Sequence, residues 1–303
     1  MTTRAIKWAD WRRSIESRCD YLSRSFGGVD SAVRLDQITE QSGVKRVEFR
    51  PLLVEGGLSI QGDGFVMYVN CSKDQISQLN DEFVCNGGRS LPNRMRFTIA
   101  HELIHTFFFE LSSDAPRNRV KVTSDKDHDQ LERLCDFGAG LLLMPSRRIG
   151  PLLDREPQIS PDSLRRLAQH FAVSLDALLI RLNGMSWGNH RGFAALIVED
   201  GQTFKIRASA TDSTSKHLFS TVQTNNTLGQ EILESLQTCR GSQDAVVYEY
   251  PCHIGQKEAV QPCVVMCDRI THEPSKFVLS IQLSGDPKFE SATTIPGDIR
   301  RSM

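Results

Sequence analysis

The sequence has no long apolar run, and its charges almost cancel. No stretch approaches the roughly 18 to 20 consecutive apolar residues that span a bilayer, and the opening residues, MTTRAIKWADWRRS, lack the apolar core of a secretory signal. The 36 lysines and arginines oppose 37 aspartates and glutamates, for a formal net charge of −1, so no general attraction to nucleic acid or to a membrane surface is expected. These absences predict a cytoplasmic protein with no membrane partner.

The chain also lacks the closely spaced cysteines of a disulfide framework or a structural zinc site. Its eight cysteines are scattered, and no C-x2-C pair occurs. Cys263 and Cys267, with Cys252 and His253 nearby, are a weak candidate for a second metal site. Residues 263–266 read CVVM, which is typical of a buried strand in which cysteine packs as a small apolar residue. The cysteines are therefore expected to be reduced thiols.

Hydrophobic periodicity divides the 303 residues into three segments. Residues 1–150 combine helical and strand-like runs, 151–190 hold two short helices joined by a tight turn, and 191–303 alternate strand-like runs with one helical run. The predicted fold class is α+β, with a helix-turn-helix segment in the middle and a separate α+β domain at the end.

The predicted elements follow from apolar spacing and from turn residues. In the first segment they are helices at 8–26, 32–40, 94–111 and 130–144, strands at 47–54 and 64–70, a turn-rich stretch at 56–63 and a surface loop at 112–129. In the last segment they are strands at 193–199, 204–210, 245–250, 263–267 and 277–283 and a helix at 228–238.

The most informative motif is HELIH, residues 101–105, inside an apolar helical run. Residues four apart on an α-helix share a face one turn apart, so His101 and His105 can bind the same tetrahedral metal ion. Glu102 is offset by one residue and can face a water molecule on that metal. Zinc lowers the pKa of such a water toward about 7, and the carboxylate carries its proton to the leaving amine. The motif predicts a metallopeptidase with Glu102 as the catalytic base.

A catalytic zinc needs a third protein ligand, and the helix after the surface loop offers one. The extended three-histidine form of the motif is excluded, because Phe108 and Leu111 occupy its later positions. Glu132 and Asp136 lie one turn apart on the later helix. Glu132 is the predicted third metal ligand, and Asp136 is predicted to accept a hydrogen bond from the outer N–H of His101.

The expected metal is Zn²⁺, although such a site also accepts Mn²⁺ or Co²⁺. No other cofactor is predicted. His128 lies one turn before Glu132 and competes with it, but its place in the polar loop favours an exposed or substrate-side role. Tyr68 and His128 are both candidates for the donor that stabilises the transition state.

The segments RMRFTIAHELIH and ERLCDFGAGLLLMP resemble the ImmA/IrrE metallo-endopeptidases, cytoplasmic zinc proteins of bacteria and their mobile elements. The family typically has R-F-T-x-A-H-E-x-G-H and, later, E-x-x-A-N-x-F-A-x-x-L-L-M-P. The resemblance implies the same ligands and the same base. The chain departs from the pattern beside these residues, which bears on substrate fit more than on metal binding. It has Ile104 for Gly, Cys135 for Ala, Asp136 for Asn and Gly138 for the aromatic residue.

The resemblance covers roughly residues 45 to 185 and implies a zincin-like peptidase domain at 1–150, with the HEXXH helix against a small sheet. IrrE-like members add a C-terminal GAF-like sensor domain, with which the pattern of 191–303 is compatible. Family members typically cleave a helix-turn-helix repressor and so derepress stress-response or mobile-element genes, which makes such a repressor the expected partner. The strand at 64–70 is expected to be the edge strand that binds an extended substrate.

The alternative function is a DNA-binding or protein-binding transcriptional regulator that keeps a vestigial metal site. Its basis is the helix-turn-helix pattern of residues 160–183. The second helix offers only Asp176 and Arg181 among apolar residues, which is a poor surface for reading a DNA groove. Arg165 and Arg166 on the preceding helix could contact phosphates. Direct DNA binding is therefore not favoured.

Overall fold

The fold is known from a computed structural model that describes residues 8–26, 32–111, 116–120, 122–183, 185–200, 203–214, 246–253, 260–270 and 273–283. It is a mixed α+β structure, as predicted. The chain packs into two compact units, formed by residues 1–148 with 168–174 and by residues 149–167 with 175–303. No described helix is both long enough and apolar enough to cross a membrane.

The described elements of the first unit run from α1 to α5. They are α1 Trp8–Phe26, α2 Leu35–Gln41, β1 Val44–Arg50, β2 Gly56–Gln61, β3 Gly64–Asn70, α3 Ile76–Asn86, α4 Asn93–Thr106, β4 Phe109–Glu110, β5 Arg117–Asn118 and α5 Asp125–Leu143. Two further helices, α6 Ser146–Arg155 and α7 Pro161–Phe171, have residues in both units. The second unit also contains α8 Leu175–Leu182, β6 Gly192–Asp200, β7 Thr203–Thr211, β8 Val246–His253, β9 Val260–Ile270 and β10 Glu273–Leu283.

The small sheet of the first unit has the strand order β1-β3-β2, with β1 parallel and β2 antiparallel to β3. The prediction that residues 64–70 form an edge strand is therefore wrong, because β3 lies in the middle. The predicted turn at 56–63 is wrong for residues 56–61, which form β2. Two glycines and a serine among six residues resemble a turn, yet they suit a strand that passes close to a helix.

Helix α4 packs against β2 and β3 on one side and against α5 on the other. Its start is held by Arg96, which is fully buried and donates hydrogen bonds to the carbonyl oxygens of Gly88 and Val33, the latter at 3.1 Å. Burial lowers the pKa of the Arg96 guanidinium to about 10. This side chain ties the segments before α2 and before α4 to the helix that carries HELIH.

Helix α5 begins five residues before its predicted start. The hydroxyl oxygen of Ser124 accepts a hydrogen bond from the backbone N–H of Asp127 at 3.2 Å, which satisfies a donor that the first turn would leave open. Helix α1 packs against α5, and the side chains of Ile15, Cys19 and Leu22 are buried. Helix α5 thus contacts both α1 and α4.

The second unit contains an antiparallel sheet in the order β7-β6-β10-β9-β8. Its strands match the five predicted ones in position. Helix α8 packs against β6 and β7 and buries Leu178, Leu179 and Leu182. The helix predicted at 228–238 lies outside the described residues, and so do the side chains of Cys252, His253 and Cys263.

Candidate metal centre

Helix α4 presents the two histidines of HELIH on the same face. The Nε2 atoms of His101 and His105 lie 3.2 Å apart, and the side chains are 16% and 20% exposed. Ligand nitrogens about 2.0 to 2.1 Å from a tetrahedral ion are roughly 3.3 Å from each other. The spacing therefore fits a shared metal ion without rearrangement of either ring.

Helix α5 brings Glu132 to the same point. Its Oε2 lies 3.1 Å from His101 Nε2, and its Oε1 lies 3.5 Å from His105 Nε2. These distances are close to those expected among ligands of a tetrahedral ion. Two imidazole nitrogens and a carboxylate that turns one oxygen toward each of them thus converge, which is a donor set that suits zinc.

Asp136 lies one turn further along α5, on the other side of the His101 ring. Its Oδ1 is 2.9 Å from His101 Nδ1, so it can accept the N–H of that nitrogen. A proton on Nδ1 leaves the lone pair of Nε2 directed toward Glu132 and His105. Asp136 is therefore placed to favour the tautomer of His101 that can bind a metal.

The histidines and carboxylates of the centre shift the pKa values of one another. Burial lowers the pKa of His101, but hydrogen bonds with Asp136 and Glu132 outweigh it and raise that pKa to about 9. Hydrogen bonds with His101 and then His105 hold the pKa of Glu132 well below its usual range. The carboxylates thus favour a positive charge at the centre, which a proton or a metal cation can supply.

Glu102 is 9% exposed, and β2 lies close beside it. A methyl group at Gly56 would lie 2.5 Å from Thr98 Cγ2 and 3.2 Å from Glu102 Oε1. Burial raises the pKa of the Glu102 carboxyl, and the nearby His105 and His101 partly oppose this shift. A carboxyl with a raised pKa is suited to accept and then release a proton during catalysis.

Cys135 is a competing donor that sequence reasoning overlooked as a ligand. Its thiol sulfur lies within 4.8 Å of ligand atoms of His101 and His105, and burial raises the pKa of that thiol. A zinc-bound sulfur would lie about 3.6 Å from a zinc-bound nitrogen. Each oxygen of Glu132 lies within 3.5 Å of one of the two histidine nitrogens, so Glu132 is the first candidate for the third position and Cys135 is the second. The i, i+3 spacing from Glu132 was the available signal for Cys135.

The two candidate transition-state donors occupy different places. His128 belongs to the first turn of α5 rather than to the preceding loop, with Nδ1 3.8 Å from Glu132 Oε1 and the side chain 63% exposed. Tyr68 pairs with Gly57, one residue away from the Gly56 and Val69 pair that faces α4. Because side chains alternate along a strand, Tyr68 points to the other face of the sheet, where Arg50 stacks on its ring at 3.7 Å.

Comparison with known proteins finds a family that matches the segment carrying these side chains. Residues 82–183 match Peptidase_M78, the IrrE N-terminal-like domain. This segment of the chain is therefore similar to the IrrE-like family. Over 94 residues the chain is 35% identical to the radiation response metalloprotease IrrE of Deinococcus deserti. That match spans 30% of this chain and only about a third, 32%, of the IrrE protein.

A solved structure of a Mycobacterium tuberculosis transcriptional regulator is similar in fold. It aligns with a TM-score of 0.51 over 94% of this chain and 94% of that chain, at 13% sequence identity. At this identity the similarity concerns the fold alone. The similarity to the IrrE-like family therefore concerns residues 82–183, which include both histidines of HELIH and Glu132.

Replacement of Asp136 is expected to weaken metal binding. Asp136→Ala removes the acceptor of the His101 Nδ1–H, so the metal dissociation constant should rise about 10- to 100-fold. Competition with a chromophoric chelator measures it. Asp136→Asn retains an acceptor oxygen and should stay within a few-fold of the wild type. An unchanged dissociation constant in Asp136→Ala would show that the contact does not support the metal.

Proposed function

We propose that this protein is a zinc-dependent endopeptidase that makes a limited cut in a helix-turn-helix transcriptional repressor. The observation that carries the proposal is the convergence of His101, His105 and Glu132, with donor atoms 3.1 to 3.5 Å apart. Glu102 follows His101 directly and lies buried beside the same point. A domain match to the IrrE-like family supports the same reaction class.

Each residue of the centre has a separate role in the proposed reaction. A zinc ion bound there would polarise the scissile carbonyl and acidify the attacking water. Glu102 accepts the proton of that water and donates it to the nitrogen of the leaving amine. Asp136 keeps His101 in its metal-binding tautomer throughout. Glu102 is 9% exposed, which limits the contact of its proton with bulk water.

The substrate is proposed to bind as an added strand along β2. Within the small sheet, β2 lies at the edge next to Glu102, and its outer backbone groups face away from β3. An extended peptide can satisfy those groups by antiparallel pairing. This pairing would carry the scissile bond past Glu102. β2 therefore takes the role that the sequence had assigned to residues 64–70.

Two similarities support a regulatory role for the cleavage: the motifs shared with the ImmA/IrrE family and the match to the D. deserti protein. The D. deserti protein is named a radiation response metalloprotease, and the family resemblance points to a repressor as substrate. The five-stranded antiparallel sheet of the second unit supports a sensor role of the GAF type for residues 191–303. We infer that this domain couples a signal to cleavage.

The DNA-binding alternative has weaker support. Leu178, Leu179 and Leu182 of α8 pack against β6 and β7, so the apolar side of the second helix of the pattern is already covered. Arg165 forms an ion pair with Asp268 at 2.5 Å, and Arg166 forms one with Glu156 at 2.6 Å. Both arginines therefore have acidic partners of their own.

Incubation with candidate repressors tests the proposed function. The zinc-loaded chain should cut a helix-turn-helix repressor encoded near its own gene at a defined bond, as mass spectrometry of the fragments would show. A chelator should stop the reaction, and added zinc should restore it. Intact repressors after incubation, together with specific retardation of DNA fragments by the chain, would instead favour the DNA-binding alternative.

Two adjacent glycines provide a matched test of the substrate strand. Gly56→Ala introduces a methyl group against Thr98 and Glu102, whereas a methyl group at Gly57 meets nothing within 4 Å. Because small displacements of substrate are costly, kcat/KM on a peptide substrate should fall at least about 10-fold in Gly56→Ala. Gly57→Ala should stay within about 2-fold. Equal activities would show that the approach of β2 to α4 does not position the substrate.

A further inference from the structure

Helices α4 and α5 are in close contact at Ile104 and Gly138. A Cβ atom at Gly138 would lie 2.8, 2.9 and 2.9 Å from Cγ1, Cδ1 and Cγ2 of Ile104. Ile104 is fully buried and Gly138 is buried as well. The backbone of α5 therefore lies directly on the Ile104 side chain, and the crossing has no room for even a methyl group.

This contact lies next to the metal-centre residues of both helices. Ile104 directly precedes His105 on α4, and Gly138 follows Asp136 by two residues and Glu132 by six on α5. At 1.5 Å per residue, Gly138 is about 3 Å along the axis from Asp136 and about 9 Å from Glu132. A shift of α5 at the crossing thus moves both acidic side chains relative to the histidines of α4.

A second helix also contacts α5 at Gly138. Helix α1 packs along it, and the thiol of the buried Cys19 donates to the carbonyl oxygen of Gly138 at 3.5 Å. A side chain added at Gly138 therefore cannot be accommodated by a free outward movement of α5. It has to change the crossing of α4 and α5 or displace Ile104.

We propose that Ile104 and Gly138 are a size-matched pair of positioning residues that sets the distance of Glu132 and Asp136 from the metal-binding histidines. The space between the helices is filled from α4 by the side chain of Ile104, because Gly138 contributes no side chain from α5. The inference rests on the metal centre of the proposed function and is independent of the substrate.

A double-mutant cycle on metal affinity tests the pair. Gly138→Ala should raise the zinc dissociation constant at least about 10-fold, in protein that circular dichroism shows to be folded. Ile104→Ala removes all three contacting atoms and leaves the crossing underfilled, so it should raise the constant by about 3-fold, which is less than the effect of Gly138→Ala. In Ile104→Ala/Gly138→Ala the added methyl group no longer meets a side chain, so affinity should return to that of Ile104→Ala.

Gly150→Ala on α6 is the matched control, because a methyl group there meets nothing within 4 Å. Its metal affinity should equal that of the wild type. If Gly138→Ala does not fold, the folded double variant is compared directly with Ile104→Ala, and recovery of folding and metal binding supports the pair. The absorption spectrum of bound Co²⁺ gives a second readout, since displaced ligands alter its visible bands.

The outcomes separate this inference from the proposed function. Wild-type zinc affinity in Gly138→Ala, or effects that simply add in the double variant, would overturn the positioning role even if repressor cleavage is observed. A Gly138→Ala variant that loses thermal stability but keeps its affinity would likewise show a structural role alone. If the cycle gives the expected coupling but no repressor is cut, the pair stands and the proposed function fails.

Discussion

Glu102→Gln is expected to slow peptide hydrolysis by about 10²- to 10⁴-fold, the usual contribution of a positioned acid or base. The amide has nearly the shape of the carboxylate, but it cannot accept the proton of the attacking water. Glu102 is not among the converging ligand atoms, so the metal content should remain that of the wild type. The buried side chain lies beside Gly56, where an isosteric replacement introduces no new contact.

The rate on a fluorogenic peptide, compared with zinc content in the same sample, measures this effect. Glu110→Gln is the control, because Glu110 is an exposed acid only a few residues after HELIH. It should keep the wild-type rate. Full activity of Glu102→Gln would remove Glu102 from the role of the base, whereas loss of zinc from that variant would show that it acts in metal binding.

Glu132→Ala should raise the zinc dissociation constant by more than about 100-fold, beyond the effect of losing a supporting hydrogen bond. The variant removes a donor oxygen that lies 3.1 Å from His101 Nε2. Cys135→Ser should bind zinc within a few-fold of the wild type, because in the proposed site Glu132 supplies the third donor and the Cys135 thiol supplies none. The two variants alter adjacent turns of the same helix, so each is a control for the other.

Chelator competition gives both affinities, and Co²⁺ substitution identifies the ligands. A site of two imidazoles and a carboxylate should show no thiolate-to-cobalt charge-transfer band in the near ultraviolet. If instead Cys135→Ser loses the metal, Glu132→Ala keeps it and the wild type shows the band, the third ligand is Cys135.

Local periodicity was enough to locate the elements that carry the centre. The apolar spacing of α1 predicted its full extent, and the dense run of β-forming residues predicted β3 from Gly64 to Asn70. The four-residue spacings in HELIH and between Glu132 and Asp136 placed each pair on one helical face. The structure brings these four side chains together with Glu102, although their roles in metal binding remain predictions.

Features that depend on tertiary contacts could not be predicted from the sequence. The edge position of β2 depends on its pairing with β3 and on the approach of Gly56 to α4, which a glycine-rich pattern does not reveal. Helix α3 was missed because its apolar signal is weak, with only Leu79 and Phe83 buried among its described residues. The contact of Ile104 with Gly138 likewise exists only where two helices cross.

Zinc content of the purified protein tests the central claim most directly, namely that His101, His105 and Glu132 hold one metal ion. Elemental analysis after extensive dialysis should find about one zinc per chain in the wild type. A folded His105→Ala variant prepared in parallel should have lost it, because two ligands hold zinc far less tightly than three. Equal zinc in both proteins, or no uptake of zinc by the folded wild type, would contradict the account.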